Sequence, residues 1–375
     1  MVVASRARSS APHAASARRS PRTVGTSVRL PRHRYRQAEL AAIAARLLPG
    51  LEHKEAFLAR FFDRVGVEER HLALPAEAYG NLHGLEDRSR AWLETATELG
   101  QGCLAGLLDE AGVEAREVGL LTTTTVTGIA VPSLDARLMN LLPFPRSLKR
   151  VPLFGLGCMG GAAGLARTSE YLRAFPDQLA ILLSVELCSL TLQLDDPSVA
   201  NIISSGLFGD GAAAVLLAGP EHPLAREPRV AGPDIVASRS AFFPDTERVM
   251  GWDVVDAGFK VVLSPDVPDV VRAEVPSAVD GFLAEHGLSR DDIATWVSHP
   301  GGPKVLDALA EGLDLGEDAL DPAREALARV GNLSSASVLY ILDDYRRHRA
   351  PPAGSHGLLL AMGPAFSAEL VLLRW

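Results

Sequence analysis

The sequence predicts an α/β fold with buried sheets, and three observations carry that expectation. Short β-branched or apolar runs alternate with segments of helical periodicity along most of the chain. The strand candidates are near-continuous apolar runs, the pattern of strands covered on both faces. The alternation halts at a Pro-, Glu- and His-rich stretch, about 219–229, and then restarts. With 375 residues, 47% of them hydrophobic, the chain is long enough for a large core and for more than one domain-sized unit.

The elements follow in order. Gln37, Leu40, Ile43 and Leu47 recur at helical spacing over 36–48, and 54–64 keeps the same period. A long helix is predicted over 88–111, a β-branched strand over 118–125 and a helix over 133–142. The apolar runs 151–156, 179–186 and 212–218 read as strands, the first of them buried. Beyond the break, strands are predicted near 254–263, 295–298 and 356–362, and helices near 268–286, 303–311 and 333–349. The halves 23–220 and 221–375 are similar in size and order, which suggests a duplicated fold, although no sequence repeat is visible.

Charge and cysteine content bound the function. Residues 1–36 hold nine arginines and no acid, so the remainder of a chain of net charge −9 sits near −18. An acidic body argues against a nucleic-acid partner, and no apolar stretch is long enough to span a bilayer. Residues 1–22 have the composition of a transit peptide but read more simply as a disordered extension or a misplaced start codon, and are set aside from the fold. Cys103, Cys158 and Cys188 show no metal-ligand spacing and are too few for a disulfide framework, so no metal is expected and a reducing cytoplasm is the natural setting.

Four motifs carry chemistry. Phe154-Gly155-Leu156-Gly157-Cys158-Met159-Gly160-Gly161 places a cysteine where a strand hands over to a small-residue helix. A helix N-terminus favours thiolate, and glycines admit a bulky substrate. Free cysteine is also a common core residue, so alone the segment allows either reading. Ser298-His299-Pro300-Gly301-Gly302-Pro303 delivers a histidine to a loop, as a base or as a structural group. Gly331-Asn332-Leu333-Ser334-Ser335 sets Asn332 before a helix, where it could simply be a cap. Gly206-Leu207-Phe208-Gly209-Asp210-Gly211 presents Phe208 on a close-approach loop, as core or as an apolar wall. Together, Cys and His form a nucleophile–base pair, and His and Asn can donate to a developing oxyanion. That trio suits thioester exchange followed by carbon–carbon bond formation.

These motifs, with Gly363-Pro364, resemble in content and order the type III polyketide synthases of the chalcone/stilbene synthase family, over about residues 23–375. The resemblance implies a thiolase-like fold: two βαβαβαββ halves forming a five-layered αβαβα core in a homodimer. It implies an acyltransferase that works without a cofactor, its substrates an acyl-CoA starter and malonyl-CoA. It makes Cys158 the acyl carrier, ionised by His299, with Asn332 completing a triad and Phe208 as gatekeeper. Arg60 and Arg64, one turn apart on a predicted helix, align with the family's contacts to CoA phosphates, and Lys304 is a further candidate.

The chain departs from the plant pattern at several places. Val261 stands where a second gatekeeper phenylalanine is expected, which predicts a wider passage. Thr191, with Cys188 nearby, and Val131 fall at cavity positions, and the loop Ala361-Met362-Gly363-Pro364-Ala365 is less glycine-rich. These departures resemble bacterial members that make alkylresorcinols and alkylpyrones, so the expected starter is a fatty acyl-CoA. The alternatives are a β-ketoacyl-carrier-protein synthase III-like single condensation and a malonyl-primed tetrahydroxynaphthalene-type synthase.

Overall fold

The computed structural model describes residues 20–48, 55–227 and 231–375. Residues 1–19 of the predicted head, residue 54 of the second predicted helix and residues 228–230 at the predicted break lie outside them. Arg22, which the sequence assigned to the head, instead opens the first strand, Arg22–Arg29 (β1). Its backbone pairs with Ala218 on one side and Asp234 on the other, so both sheets need it.

His33–Arg36 (β2) leads into helices Gln37–Leu47 (α1) and Glu55–Asp63 (α2), and Glu69–Leu72 (β3) returns to pair with β2. Leu85–Ala111 (α3) ends at Gly112, whose φ of 64° suits a residue without Cβ. Val118–Thr125 (β4), Leu134–Leu138 (α4), Lys149–Phe154 (β5), Gly160–Ala174 (α5), Leu179–Leu187 (β6), Val199–Leu207 (α6) and Asp210–Ala218 (β7) follow. The remaining chain forms Asp234–Phe242 (β8), the hairpin Met250–Val255 (β9) and Gly258–Leu263 (β10), and Val267–Glu285 (α7). Ile293–Ser298 (β11), Pro303–Leu313 (α8), Asp321–Val330 (α9), Ser335–Asp344 (α10), His356–Gly363 (β12) and Ser367–Arg374 (β13) complete it.

One strand order occurs twice. The first run is β1-β7-β6-β4-β5, antiparallel through β6 and parallel beyond it. The second is β8-β13-β12-β11, antiparallel through β12 and then parallel. They join through the single Arg22–Asp234 pair into one nine-stranded array.

Alternation along the central strands builds the layers. Ile181, Leu183 and Val185 of β6 face a core shared with α3, while Ala180 and Leu182 face the core around α5 and α10. Helices α5 and α10 touch strands of both sheets, and α7 and α8 pack together beyond the second. The architecture is therefore αβαβα, as the resemblance implied. The seam between α5 and α10 explains the run of small residues. A Cβ on Gly161 would lie 2.1 Å from the Ser335 carbonyl, and one on Gly160 would lie 2.6 Å from Thr124 Oγ1.

Several expectations change. The run 151–156, predicted buried, belongs to β5, which is an edge strand with Phe154 50% exposed. The helix over 133–142 shrinks to Leu134–Leu138. The single strand over 254–263 is a hairpin, turned before Gly258 (φ 124°). The last predicted helix starts at Ser335, because Asn332 is drawn into a bridge with Phe208.

Candidate active site

The site gathers where parallel strands end and helices begin, the usual place for function in α/β sheets. Cys158 follows β5 through Gly155 (φ 87°) and Gly157 (φ 51°), and sits on the short turn that feeds α5. A Cβ at Gly157 would strike the Pro364 ring at 2.4 Å, so the turn fits only as glycine against the loop after β12. The thiol is buried, and its polar contact is Ser334 Oγ at 3.7 Å.

His299 follows β11, its backbone N–H donating to Leu360 O at 2.9 Å. His299 is 3% exposed, and among the described residues neither ring nitrogen has a hydrogen-bond partner. Asn332 is fixed on both sides of its peptide: its N–H donates to Leu207 O (2.9 Å), and its carbonyl accepts from Gly209 N–H (3.0 Å). Its Oδ1 accepts from the Ser334 N–H at 2.8 Å. That bond requires the oxygen to face the start of α10, which leaves the carboxamide NH2 as the donor for a ligand.

Burial sets the charge state. It pushes the Cys158 thiol up to about 12, with Glu186 adding to the rise and Ser334 opposing it. It lowers the His299 imidazolium to about 3. Burial thus favours neutral thiol and neutral imidazole over the ion pair expected from the sequence, and no hydrogen bond joins ring and thiol to offset it. A neutral imidazole can still take the thiol proton as attack proceeds.

Sequence reasoning passed over Glu186, at the end of β6. Burial raises its pKa against the hydrogen bonds it accepts. Its Oε2 takes Val126 N–H (3.1 Å) and the hydroxyls of Thr127 (2.9 Å) and Thr125 (3.3 Å), while Oε1 takes the Ser335 hydroxyl. The signal was one acid closing an otherwise apolar strand.

A cavity opens beside this cluster. Leu40, Ile43 and Leu47 of α1 line one side, and Cys188, Thr191, Phe208, Trp252 and Val261 line the other. Thr191 and Val261 are among the residues that line this cavity. Cys158, His299 and Asn332 do not line it; Phe208 does, while its backbone bridges Asn332. The cross-strand partner of Val261 is Trp252, whose ring stands 6.1 Å from that of Phe208.

The other candidates lie outside this cavity. Val131 is 93% exposed and is not among the residues that line this cavity. Arg60 is exposed and bonds to Ala56 O of its own helix at 3.2 Å. Arg64 is exposed just past the end of α2, because the helix stops at Asp63, and Lys304 is exposed in the first turn of α8. Among the described residues, no three His, Cys, Asp or Glu side chains gather as a metal site, and no helix is long and apolar enough to cross a membrane.

Comparison with known proteins gives the following. Residues 31–227 match the family described as FAE1/type III polyketide synthase-like protein, and residues 234–375 match the C-terminal domain of chalcone and stilbene synthases. The chain is 49% identical to a 1,3,6,8-tetrahydroxynaphthalene synthase of Streptomyces peucetius subsp. caesius, covering 94% of this chain and 93% of that protein. It is 36% identical to a putative chalcone synthase of Bacillus subtilis, covering 94% and 98%. The crystal structure of the 1,3,6,8-tetrahydroxynaphthalene synthase from Streptomyces coelicolor superposes with a TM-score of 0.87 at 29% identity, covering 95% and 99%.

Proposed function

From the membership of this chain in the chalcone/stilbene synthase family of type III polyketide synthases, a family of condensing acyltransferase-type enzymes, we propose that it primes itself with malonyl-CoA and closes its product to a polyhydroxynaphthalene. The observation that carries this reading is Trp252. It is the cross-strand partner of Val261 and sets a large ring 6.1 Å from that of Phe208, which weakens Val261 as a pointer to a fatty acyl starter. The 49% identity to a tetrahydroxynaphthalene synthase over almost the whole chain supports the same reading.

His299 takes the Cys158 proton as the sulfur attacks the starter thioester, and CoA departs as its thiol. A malonyl group then loses CO2 beside the apolar Phe208. The thioester enolate that remains carries its charge on oxygen, where His299 and the Asn332 NH2 donate; losing one such donor costs about 3 kcal/mol of barrier. The enolate carbon attacks the acyl carbon on Cys158, the carbon–sulfur bond breaks and the chain grows by two carbons.

Arg60, Arg64 and Lys304 supply positive charge for the CoA phosphates on an otherwise acidic molecule. A second copy of the chain covers the edge formed by β5 and the loop before α4. There Ile129 (50%), Val131 and Phe154 are exposed, and Leu141 (47%) is exposed in the loop between α4 and β5, apolar side chains of the kind that mark an association surface.

A second reading keeps a fatty acyl starter, because the α1 side of the cavity (Leu40, Ile43, Leu47) is apolar. One experiment separates the two. Purified protein is given malonyl-CoA alone, and then malonyl-CoA with medium and long acyl-CoAs. The expected result is a polyhydroxynaphthalene from malonyl-CoA alone. Product only when an acyl-CoA is added, with a resorcinol or pyrone mass, supports the second reading. A single condensation retained on a carrier protein supports the synthase III alternative.

A further inference from the structure

We propose that Arg70 is a positioning residue that holds the gate at Phe208 and the carboxamide at Asn332 as one unit. The inference rests on the roles given to those two residues above.

Arg70 lies on β3, 4% exposed, yet among the described residues no carboxylate bonds to it directly. Its Nη1 donates to the carbonyls of Ser205 (2.7 Å) and Phe208 (2.8 Å), and its Nε donates to Gln37 Oε1 (3.1 Å). Gln37 in turn donates its Nε2 to Gly206 O (2.7 Å) and Phe62 O (3.3 Å). Two side chains from outside α6 therefore satisfy carbonyls at its C-terminal end, including that of the gate residue. Cations are favoured at that end of a helix.

The same side chain reaches the Asn332 loop. A Cβ on Gly331 would lie 3.1 Å from Arg70 Cγ and 3.2 Å from Cδ, so the stem of Arg70 packs on the bare Cα of Gly331. The adjacent peptide is tied to the gate by the Asn332–Leu207 and Gly209–Asn332 hydrogen bonds. Movement of Phe208 or of Asn332 must therefore carry Arg70 with it.

Burial is offset by the nearby Asp210 and by the Phe62 face, 5.8 Å from the guanidinium carbon. A planar fork can serve Gln37 and two carbonyls at fixed angles; an ammonium on a flexible stem cannot hold the same three acceptors in one geometry. This placement also explains why a cation stands on the wall of a cavity lined largely by apolar and neutral polar side chains.

The test uses the full-length protein and the variants Arg70→Lys, Arg70→Gln and Gln37→Leu. Three quantities are read with malonyl-CoA: acyl mass on Cys158, CO2 released, and condensed product. Melting temperature is recorded beside them. The expected result is loading of Cys158 close to wild type, with product per CO2 falling by about tenfold to a hundredfold in Arg70→Gln, as small misplacements cost. Gln37→Leu falls less, and Arg70→Lys recovers stability without recovering the ratio. If the Arg70 variants do not fold, Gln37→Leu carries the test. An unchanged ratio, with loading and release falling together alongside melting temperature, overturns the inference alone. A wild-type protein that neither loads nor releases CO2 overturns the functional reading and this inference with it.

Discussion

The two sheets repeat one strand order but end in different chemistry. In the first, β5 delivers Cys158 to the start of α5; in the second, Asn332 stands before α10, in the corresponding place. The second sheet has no counterpart of β5. Its chain passes from β11 through His299 into α8 and α9, and it extends the β9–β10 hairpin toward the first half. There Gln193 Nε2 donates to Phe259 O at 3.1 Å, and Lys260 pairs with Asp196 at 3.3 Å. The duplicated topology brings two helix N-termini together, and in the proposed reading one of them holds the nucleophile and the other the donor.

The largest effect should come from removing the first half's contribution. Cys158→Ala is expected to abolish acyl loading and condensation, at least about a thousandfold, with the acyl mass absent from the protein. The second half should fail differently. Asn332→Asp keeps the oxygen that serves the Ser334 N–H but loses the donor NH2, so CO2 release should drop by about a hundredfold or more while loading persists. Equal loss of both steps would break the assignment of distinct roles to the two halves.

The hairpin gives an intermediate effect. Trp252→Gly should raise the use of a medium-chain acyl-CoA relative to malonyl-CoA by about tenfold, the scale of a few methylenes' worth of pocket contact. An unchanged starter ratio would mean that Trp252 does not set the passage. Smaller still is the surface contribution. Arg60→Ala with Arg64→Ala should raise KM for CoA substrates by about threefold to tenfold, with kcat retained and the difference shrinking in salt.

A pH comparison sharpens the charge assignment. His299 has a folded pKa of about 3 against 6.5 when free, so between these values the unfolded chain binds the proton first. Stability from this group is complete above pH 6.5 and falls as pH drops toward 3. Cys158 runs the other way: with a folded value of about 12 against 9.0, stability falls as pH rises from 9 toward 12. Denaturant midpoints should decline less with acid in His299→Gln, and less with alkali in Cys158→Ala, than in the wild type.

The strands buried on both faces were legible because their apolar runs leave no other reading; β4 is predicted and found over the same residues. The amphipathic helices α1, α2, α7 and α8 were legible from their period. β1 and β8 were not: the buried run of β1, Thr23 to Ser27, is mostly threonine, serine and glycine, and β8 mixes its apolar residues with aspartate, serine and arginine. β13 was hidden by the acid at Glu369, which is buried against the Ser240 hydroxyl at 2.6 Å. The exposure of β5 could not be read, because an apolar edge looks the same whether its own chain or another covers it.

At the site, Cys158, His299, Asn332 and Phe208 were each visible as a motif. Ser334, Glu186 and Trp252 were not, because their importance comes from what folding places opposite them. Arg70 gave still less signal, as one arginine among the strand's polar residues.

The glycine–serine seam between α5 and α10 has a consequence for how such enzymes can diversify. With a backbone carbonyl already where a methyl would go at Gly161, inherited change has no room at the centre without parting the sheets that frame the reaction. Novel products must therefore arise from replacements along the rim, where the hairpin and α1 can exchange bulk without disturbing the catalytic machinery behind them.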